Sequence, residues 1–114
     1  MTLQAITQRL GLSVCWGNDL LHREVTGGYV GDLLSDVIAN SKPGYVWMTM
    51  QVHVNIVAVA VLKELSAIIL VNGRQPAEET LRKAQDEKVP ILTSPLPAFE
   101  LAGRLYALGV GGST

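Results

Sequence analysis

The sequence is short of several things at once, and each shortage removes a class of function. It holds a single cysteine, Cys15, so no internal disulfide can form and the chain fits a reducing compartment. Its charge is balanced. Nine Lys and Arg against ten Asp and Glu give a formal net charge of −1, with no basic stripe to track the phosphates of a nucleic acid. The longest apolar run, Ile56 to Leu62, falls far below the ~20 residues that span a bilayer. The opening residues, MTLQAITQRLG, lack the basic-then-apolar layout of a secretory leader. There is no internal repeat, low-complexity segment or linker. Only two histidines occur, His22 and His53, and neither has a cysteine or carboxylate at ligand spacing, so no metal and no cofactor is expected.

What is there describes one folded domain. The chain has 114 residues, 48% hydrophobic and 17% charged, which excludes a disordered polymer. At this length roughly 65% of the unfolded surface can be buried, enough for a core without metals or disulfides. We expect one α/β domain over residues 1–108 and a flexible tail over 109–114, Gly-Val-Gly-Gly-Ser-Thr, with a cytoplasmic location.

Periodicity gives the elements. Residues 2–10 place Leu3, Ile6 and Leu10 near one helical face, and Gly11 stops the helix. Residues 12–16 read as the first strand, ended by Gly17-Asn18-Asp19. Residues 20–28 are ambiguous, punctuated by Gly27-Gly28. Residues 32–40 form an amphipathic helix through Leu33, Leu34, Val37 and Ile38. Residues 45–50 are a strand, and 66–71 (SAIILV) a continuously apolar one of the kind buried on both faces in parallel sheets. Val54 to Leu65 alternates like a strand, but parallel strands need a crossover of about a dozen residues, so residues 54–64 are assigned to a buried helix. Residues 77–88 are an exposed helix with Glu78 and Glu79 in its first turn. Residues 91–93 are a short strand and 98–108 a closing helix. The alternation predicts an α/β fold, a mainly parallel sheet with helices on both faces. Such sheets take ligands beyond the carboxyl ends of their strands.

That rule selects the candidate residues. The segment Thr49-Met50-Gln51-Val52-His53-Val54-Asn55 crowds polar groups between a strand and a helix. Amides at the helix start suit an anion, Gln51 and His53 fall on one side of extended backbone, and Asn55 is placed as the cap. A second segment, Gly27-Gly28-Tyr29-Val30-Gly31-Asp32, offers glycines for a turn or close ligand approach, and Asp32 for a cap or a hydroxyl. It is neither a P-loop nor a dinucleotide fingerprint, because Gly-Lys-Ser/Thr and G-x-G-x-x-G are both missing. Asn72-Gly73 and Thr93-Ser94 follow strands and belong to the same rim, where ordinary loop roles suffice for them. Cys15 lies in an apolar strand and reads as an inert thiol rather than a nucleophile. Trp16 and Trp47 lie in strands, as core or subunit-contact residues.

The stretch Glu24-Val25-Thr26-Gly27-Gly28 with residues 29–37, together with 47–60, Ala67-Ile68-Ile69-Leu70 and Val89-Pro90-Ile91-Leu92, resembles the DRTGG domain family over residues 3–108. Glu24-Val25 stand where the name-giving Asp-Arg pair would be. The resemblance implies a fold like the N-terminal domain of HPr kinase/phosphorylase. It also implies a place among domains that adjoin adenine-nucleotide and diadenosine-polyphosphate sites in regulated pyrophosphatases, with small stand-alone versions acting as accessory proteins. Kinase activity does not follow, since the family's phosphate-binding loop and catalytic residues lie in a different domain.

Together these readings favour a non-catalytic regulatory or sensor module for a small anionic ligand, an adenine nucleotide being one such. The crevice would be built from Gly27, Gly28 and Asp32 on one side and Thr49, Gln51, His53 and Asn55 on the other. Amides at the start of helix 54–64 would hold phosphate, Gln51 and Asn55 would orient it, and Asp32 would take a sugar hydroxyl. The alternative is a protein-interaction module, a homodimer docking on a partner enzyme without any small ligand. A third reading would pair His53 as general base with Asp32. Self-association is expected under all three, because so apolar a short chain leaves apolar surface exposed.

Overall fold

Two strands that are apolar on both faces set the architecture. In a computed structural model of the chain, which describes residues 1–110, β3 (Tyr45–Thr49) and β4 (Ala67–Leu70) lie side by side near the middle of a five-stranded sheet. Successive side chains of a strand point to opposite faces, so a strand with no polar face must be covered twice. Val46, Met48, Ala67 and Ile69 face α1 (Leu3–Leu10) and α5 (Ala98–Ala107), packing with Leu3, Ile6, Leu101 and Leu105. Trp47, Ile68 and Leu70 face the other way, onto α2 (Leu34–Asn40), α3 (Asn55–Leu62) and α4 (Glu78–Glu87) through Val37, Ile56, Val57, Ala60 and Ala84. The result is a three-layer α/β fold with helices on both faces, as expected.

The strand order is β1-β5-β4-β3-β2, with β1 (Ser13–Trp16), β2 (Gly27–Val30) and β5 (Ile91–Thr93) completing the sheet. Strands β2 to β5 run parallel in sequential order, and β1 joins β5 antiparallel with a register shift between Val14 and Trp16. Because α2, α3 and α4 connect these parallel strands on one face, the loops after β2, β3 and β4 emerge on one rim as neighbours.

Local chemistry explains most boundaries. Thr2 accepts the Ala5 amide through Oγ1 at 3.2 Å, and Gly11 at φ 64° ends α1. Helix α4 carries Glu78 and Glu79 in its first turn and stops at Lys88, which adopts a left-handed φ of 59°. The helix read over 54–64 is there, but Asn55 is not its cap. Val54 precedes the first helical residue with no side-chain cap, and the exposed Asn55 side chain makes no hydrogen bond among the described residues. Likewise α2 starts after Leu33, again without a side-chain cap, because the Asp32 carboxylate is used elsewhere.

The ambiguous stretch 20–28 starts at the last residue of a 3₁₀ turn (Asn18–Leu20) and ends in the edge strand β2, with an isolated bridge from Glu24 to Thr2 between them. The paired glycines therefore open a strand and do not make a turn. Neither has a positive φ. A Cβ on Gly27 would run into the Tyr45 ring, and one on Gly28 would come within 3.2 Å of Leu105. Their smallness lets a neighbouring ring and helix α5 close onto β2, so packing and not backbone freedom explains them.

Residues 109 and 110 continue from α5, with Val110 buried in the core. The rest of the tail expected over 109–114 lies outside the described residues. No helix of the described residues is long and apolar enough to cross a membrane.

Gly17 is where the backbone is most exacting. Its φ is 114°, and an added Cβ would sit 2.8 Å from the Pro90 backbone. Gly17→Ala is expected to cost about 2–3 kcal/mol and to lower the thermal midpoint by ~10 °C or more. Gly73→Ala meets open space at φ 67° and is expected to cost about 1 kcal/mol. Thermal unfolding followed by circular dichroism ranks the two.

Candidate functional site

The rim carries a shallow cleft of about 260 Å³, lined by Asp32, Met50, Gln51, Val52, His53 and Arg74. These residues come from the loops after β2, β3 and β4 respectively, the carboxyl ends of three adjacent parallel strands. This is the rim on which the sequence placed its candidate residues, and three of those residues, Asp32, Gln51 and His53, line the cleft.

Asp32 is the organising group. Its Oδ1 accepts from Thr49 Oγ1 at 2.7 Å and from the Met50 amide at 2.8 Å. The Thr49 hydroxyl in turn accepts the Gln51 amide at 3.1 Å, and Gln51 Nε2 donates to the Asp32 carbonyl at 3.0 Å. This ring of bonds ties the β2–α2 loop to the β3–α3 loop. Thr49 is 2% exposed, so its hydroxyl serves the ring and does not face the cleft. The Oδ2 atom of Asp32 takes no part in these bonds and is left to solvent or ligand.

The far side of the β3–α3 loop is held from below. Val52 carbonyl accepts from Thr80 Oγ1 at 2.7 Å and from the Ala77 amide at 3.1 Å, which fixes the loop against the start of α4. Helix α3 then begins with Ile56 N bonded to His53 O and Val57 N to Val54 O. The amides of His53, Val54 and Asn55 precede this ladder and lie at the positive end of the helix. His53 and Arg74 are both exposed and line the cleft beside them. The cleft lining is thus bipolar in composition: it brings the Asp32 carboxylate together with the Arg74 guanidinium and the His53 imidazole, beside the start of α3.

Of the residues singled out in the sequence, Asp32, Gln51 and His53 line the cleft. Thr49 stands behind it. Asn55 is exposed but outside the lining, as the first residue of α3. Gly27 and Gly28 are not brought there. Gly28 lies beside Met48, Leu105 and Tyr106 on the opposite face of the sheet, where α5 packs. Asn72, Gly73 and Ser94 keep the ordinary loop roles given to them: Asn72 N bonds Leu96 O, Gly73 N bonds Ser94 O, and Ser94 N bonds Leu70 O. Arg74 is the residue the sequence reading missed. It lies in the loop after β4 that the rim rule had already marked, and it is that loop's one cation.

No hydrogen bond joins His53 to Asp32 among the described residues. The described residues also contain no cluster of three or more His, Cys, Asp or Glu able to hold a metal. Cys15 is half-buried rather than fully buried. Burial raises its thiol pKa, and a hydrogen bond with Thr93 offsets this only in part.

Two outcomes are expected. Thr49→Val removes the donor to Asp32 and the acceptor for Gln51 in a buried position, and should cost about 2 kcal/mol, read as a fall of ~10 °C in midpoint. Cys15 should alkylate more slowly in the folded chain than in urea, with a pH midpoint above that of a free thiol. Because its folded pKa is raised, the chain should also lose stability as pH climbs past ~8.5, where the unfolded thiol ionises first.

No family model matches the sequence, and no curated protein matches it. By structure, the chain is similar to the CBS and DRTGG domains of the regulatory region of a Clostridium perfringens pyrophosphatase, crystallised with its activator diadenosine tetraphosphate. The TM-score is 0.66 and the identity 14%, over 91% of this chain and 45% of that one. This chain therefore spans less than half of the protein it matches, and the likeness is one of fold: a DRTGG-type α/β domain with a mostly parallel five-stranded sheet.

Proposed function

We propose that this domain is a non-catalytic regulatory module that binds a phosphate-bearing small molecule, an adenine nucleotide, in the rim cleft. The observation that carries the reading is the bipolar lining at the ends of β2, β3 and β4. Arg74, His53 and the amides that start α3 suit the phosphate, because a helix N-terminus and a guanidinium both favour negative charge. Asp32 Oδ2 suits a ribose hydroxyl, and its position is fixed by the bonds that Oδ1 makes. Gln51 keeps the two ends in register. Gly27, Gly28, Thr49 and Asn55 contribute through packing and loop geometry in this proposal, not through contact with ligand.

The cleft volume of about 260 Å³ lies just below the ~300–1,000 Å³ of deep small-molecule pockets. It suits the sugar and phosphate, with the base lying outward. Binding is favoured over catalysis by the use made of Asp32, whose Oδ1 is committed to holding two loops together. The fold-mate in the pyrophosphatase is a regulatory region complexed with an adenine dinucleotide, which agrees with this class of ligand. The kinship to the HPr kinase N-terminal domain, and a role beside a partner enzyme, rest on the sequence resemblance.

A thermal-shift panel of AMP, ADP, ATP, diadenosine tetraphosphate, NAD and inorganic phosphate tests the proposal. A ligand at ~100 times its dissociation constant adds about 2.7 kcal/mol, or roughly 10 °C for a domain of this size. The shift should be lost in Arg74→Ala and kept in Asn55→Ala. A flat panel with folded protein would overturn the nucleotide reading.

A further inference from the structure

Asp32 and Arg74 line the same cleft with opposite charges, yet they do not neutralise each other. Neither belongs to any ion pair among the described residues. The arginine side chains that make hydrogen bonds there are those of Arg23, Arg82 and Arg104, not Arg74. Two unlike charges left apart in one cleft dictate which part of a ligand meets which. An ionised carboxylate only accepts hydrogen bonds, and so does an ionised phosphate oxygen, so the two repel and neither satisfies the other. Phosphate therefore belongs with Arg74, and whatever meets Asp32 has to donate.

Asp32 also has little freedom to turn aside. Its Oδ1 holds the Thr49 hydroxyl at 2.7 Å and the Met50 amide at 2.8 Å. Thr49 is buried at the end of β3, and the Met50 amide is backbone. Swinging the carboxylate away from an incoming anion would break both bonds and leave the buried hydroxyl without its acceptor.

We infer that Asp32 is the specificity-determining residue of the cleft: it admits a nucleotide whose ribose hydroxyls are free and rejects one phosphorylated on either of them. The role presupposes the ligand reading above and adds a repulsive element to it, which discrimination between similar ligands ordinarily needs. Two effects of different size contribute. Deleting the ribose hydroxyls removes a hydrogen bond to a charged acceptor, worth roughly tenfold in affinity at a shallow site. Adding a phosphate there sets one anion against another, worth about a hundredfold.

Asparagine at this position separates charge from shape, because the ring of bonds dictates how it sits. The Met50 amide can only donate, so in Asp32→Asn the carboxamide oxygen takes the place of Oδ1 and the NH2 group takes that of Oδ2. The group left to the ligand changes from acceptor to donor, the negative charge is lost, and both loop bonds are kept.

Isothermal titration calorimetry of the full chain tests this with AMP, dideoxy-AMP and the two forms of AMP that carry a second phosphate on a ribose hydroxyl. Wild type is expected to bind AMP roughly tenfold more tightly than dideoxy-AMP and about a hundredfold more tightly than either bisphosphate. In Asp32→Asn, with the wild-type circular dichroism spectrum, the preference for AMP over the bisphosphates should vanish or reverse. A wild-type chain that binds AMP no better than dideoxy-AMP or a bisphosphate would overturn the selectivity and leave the ligand reading standing. A folded Asp32→Asn chain that keeps the wild-type ranking would overturn the role of Asp32. The wild-type series decides the selectivity even where the variant fails to fold. A wild-type chain that binds none of the four also overturns it, and the thermal-shift panel then shows whether the ligand reading falls as well.

Discussion

The parallel pairing of β3 with β4 is the constraint from which the rest of this structure follows. Both strands are apolar on both faces, so burial demands a helical layer above and another below. Parallel pairing demands that the chain return to the same end of the sheet before each new strand. The two demands together fix where the helices lie and where the loops emerge. Trp47 shows how closely the strands are held. It is fully buried beneath α2 and α3, and its indole N–H still reaches the Gly31 carbonyl at 2.8 Å. A large ring with its one polar atom satisfied can lie inside without penalty.

The rim cleft is a consequence of that arrangement. Three crossover helices on one face bring the loops after β2, β3 and β4 side by side, and Asp32 then binds the first to the second through Thr49, Met50 and Gln51. A carboxylate on an exposed loop would ordinarily be free to move. Here it accepts from a buried hydroxyl and a backbone amide, and those bonds orient its second oxygen outward. Arg74 and His53 stay unconstrained by comparison, exposed and without bonds to the carboxylate. The cleft therefore sets an acceptor held by two hydrogen bonds beside the exposed side chains of Arg74 and His53.

Helix α3 serves two environments at once. Its inner face closes the core against Trp47 and Ile68, and the loop that leads into it lines the cleft through Gln51, Val52 and His53. Its outer face continues the same run of Val and Ala where solvent would favour charge.

Much of this was legible in the sequence. The apolar run Ser66–Val71, the glycine that stops α1, the first-turn charges of α4, and the need for a helical crossover over 54–64 are local or topological facts, and the fold class follows from them. So does the rim, because carboxyl ends of parallel strands are where such sheets leave loops free. What the sequence could not decide was contact. Gly27 and Gly28 look like a turn until Tyr45 and Leu105 are seen against them, and β2 is recognisable only by the strand it joins. Asn55 resembles a cap by type, but the chain enters α3 through Val54, and Asn55 is already the first helical residue. Arg74 has no motif of its own and enters the cleft only because β4 lies next to β3. Periodicity and turn chemistry act between residues close in the chain, whereas these assignments depend on which distant side chains occupy the same few ångströms, and only the folded chain sets that.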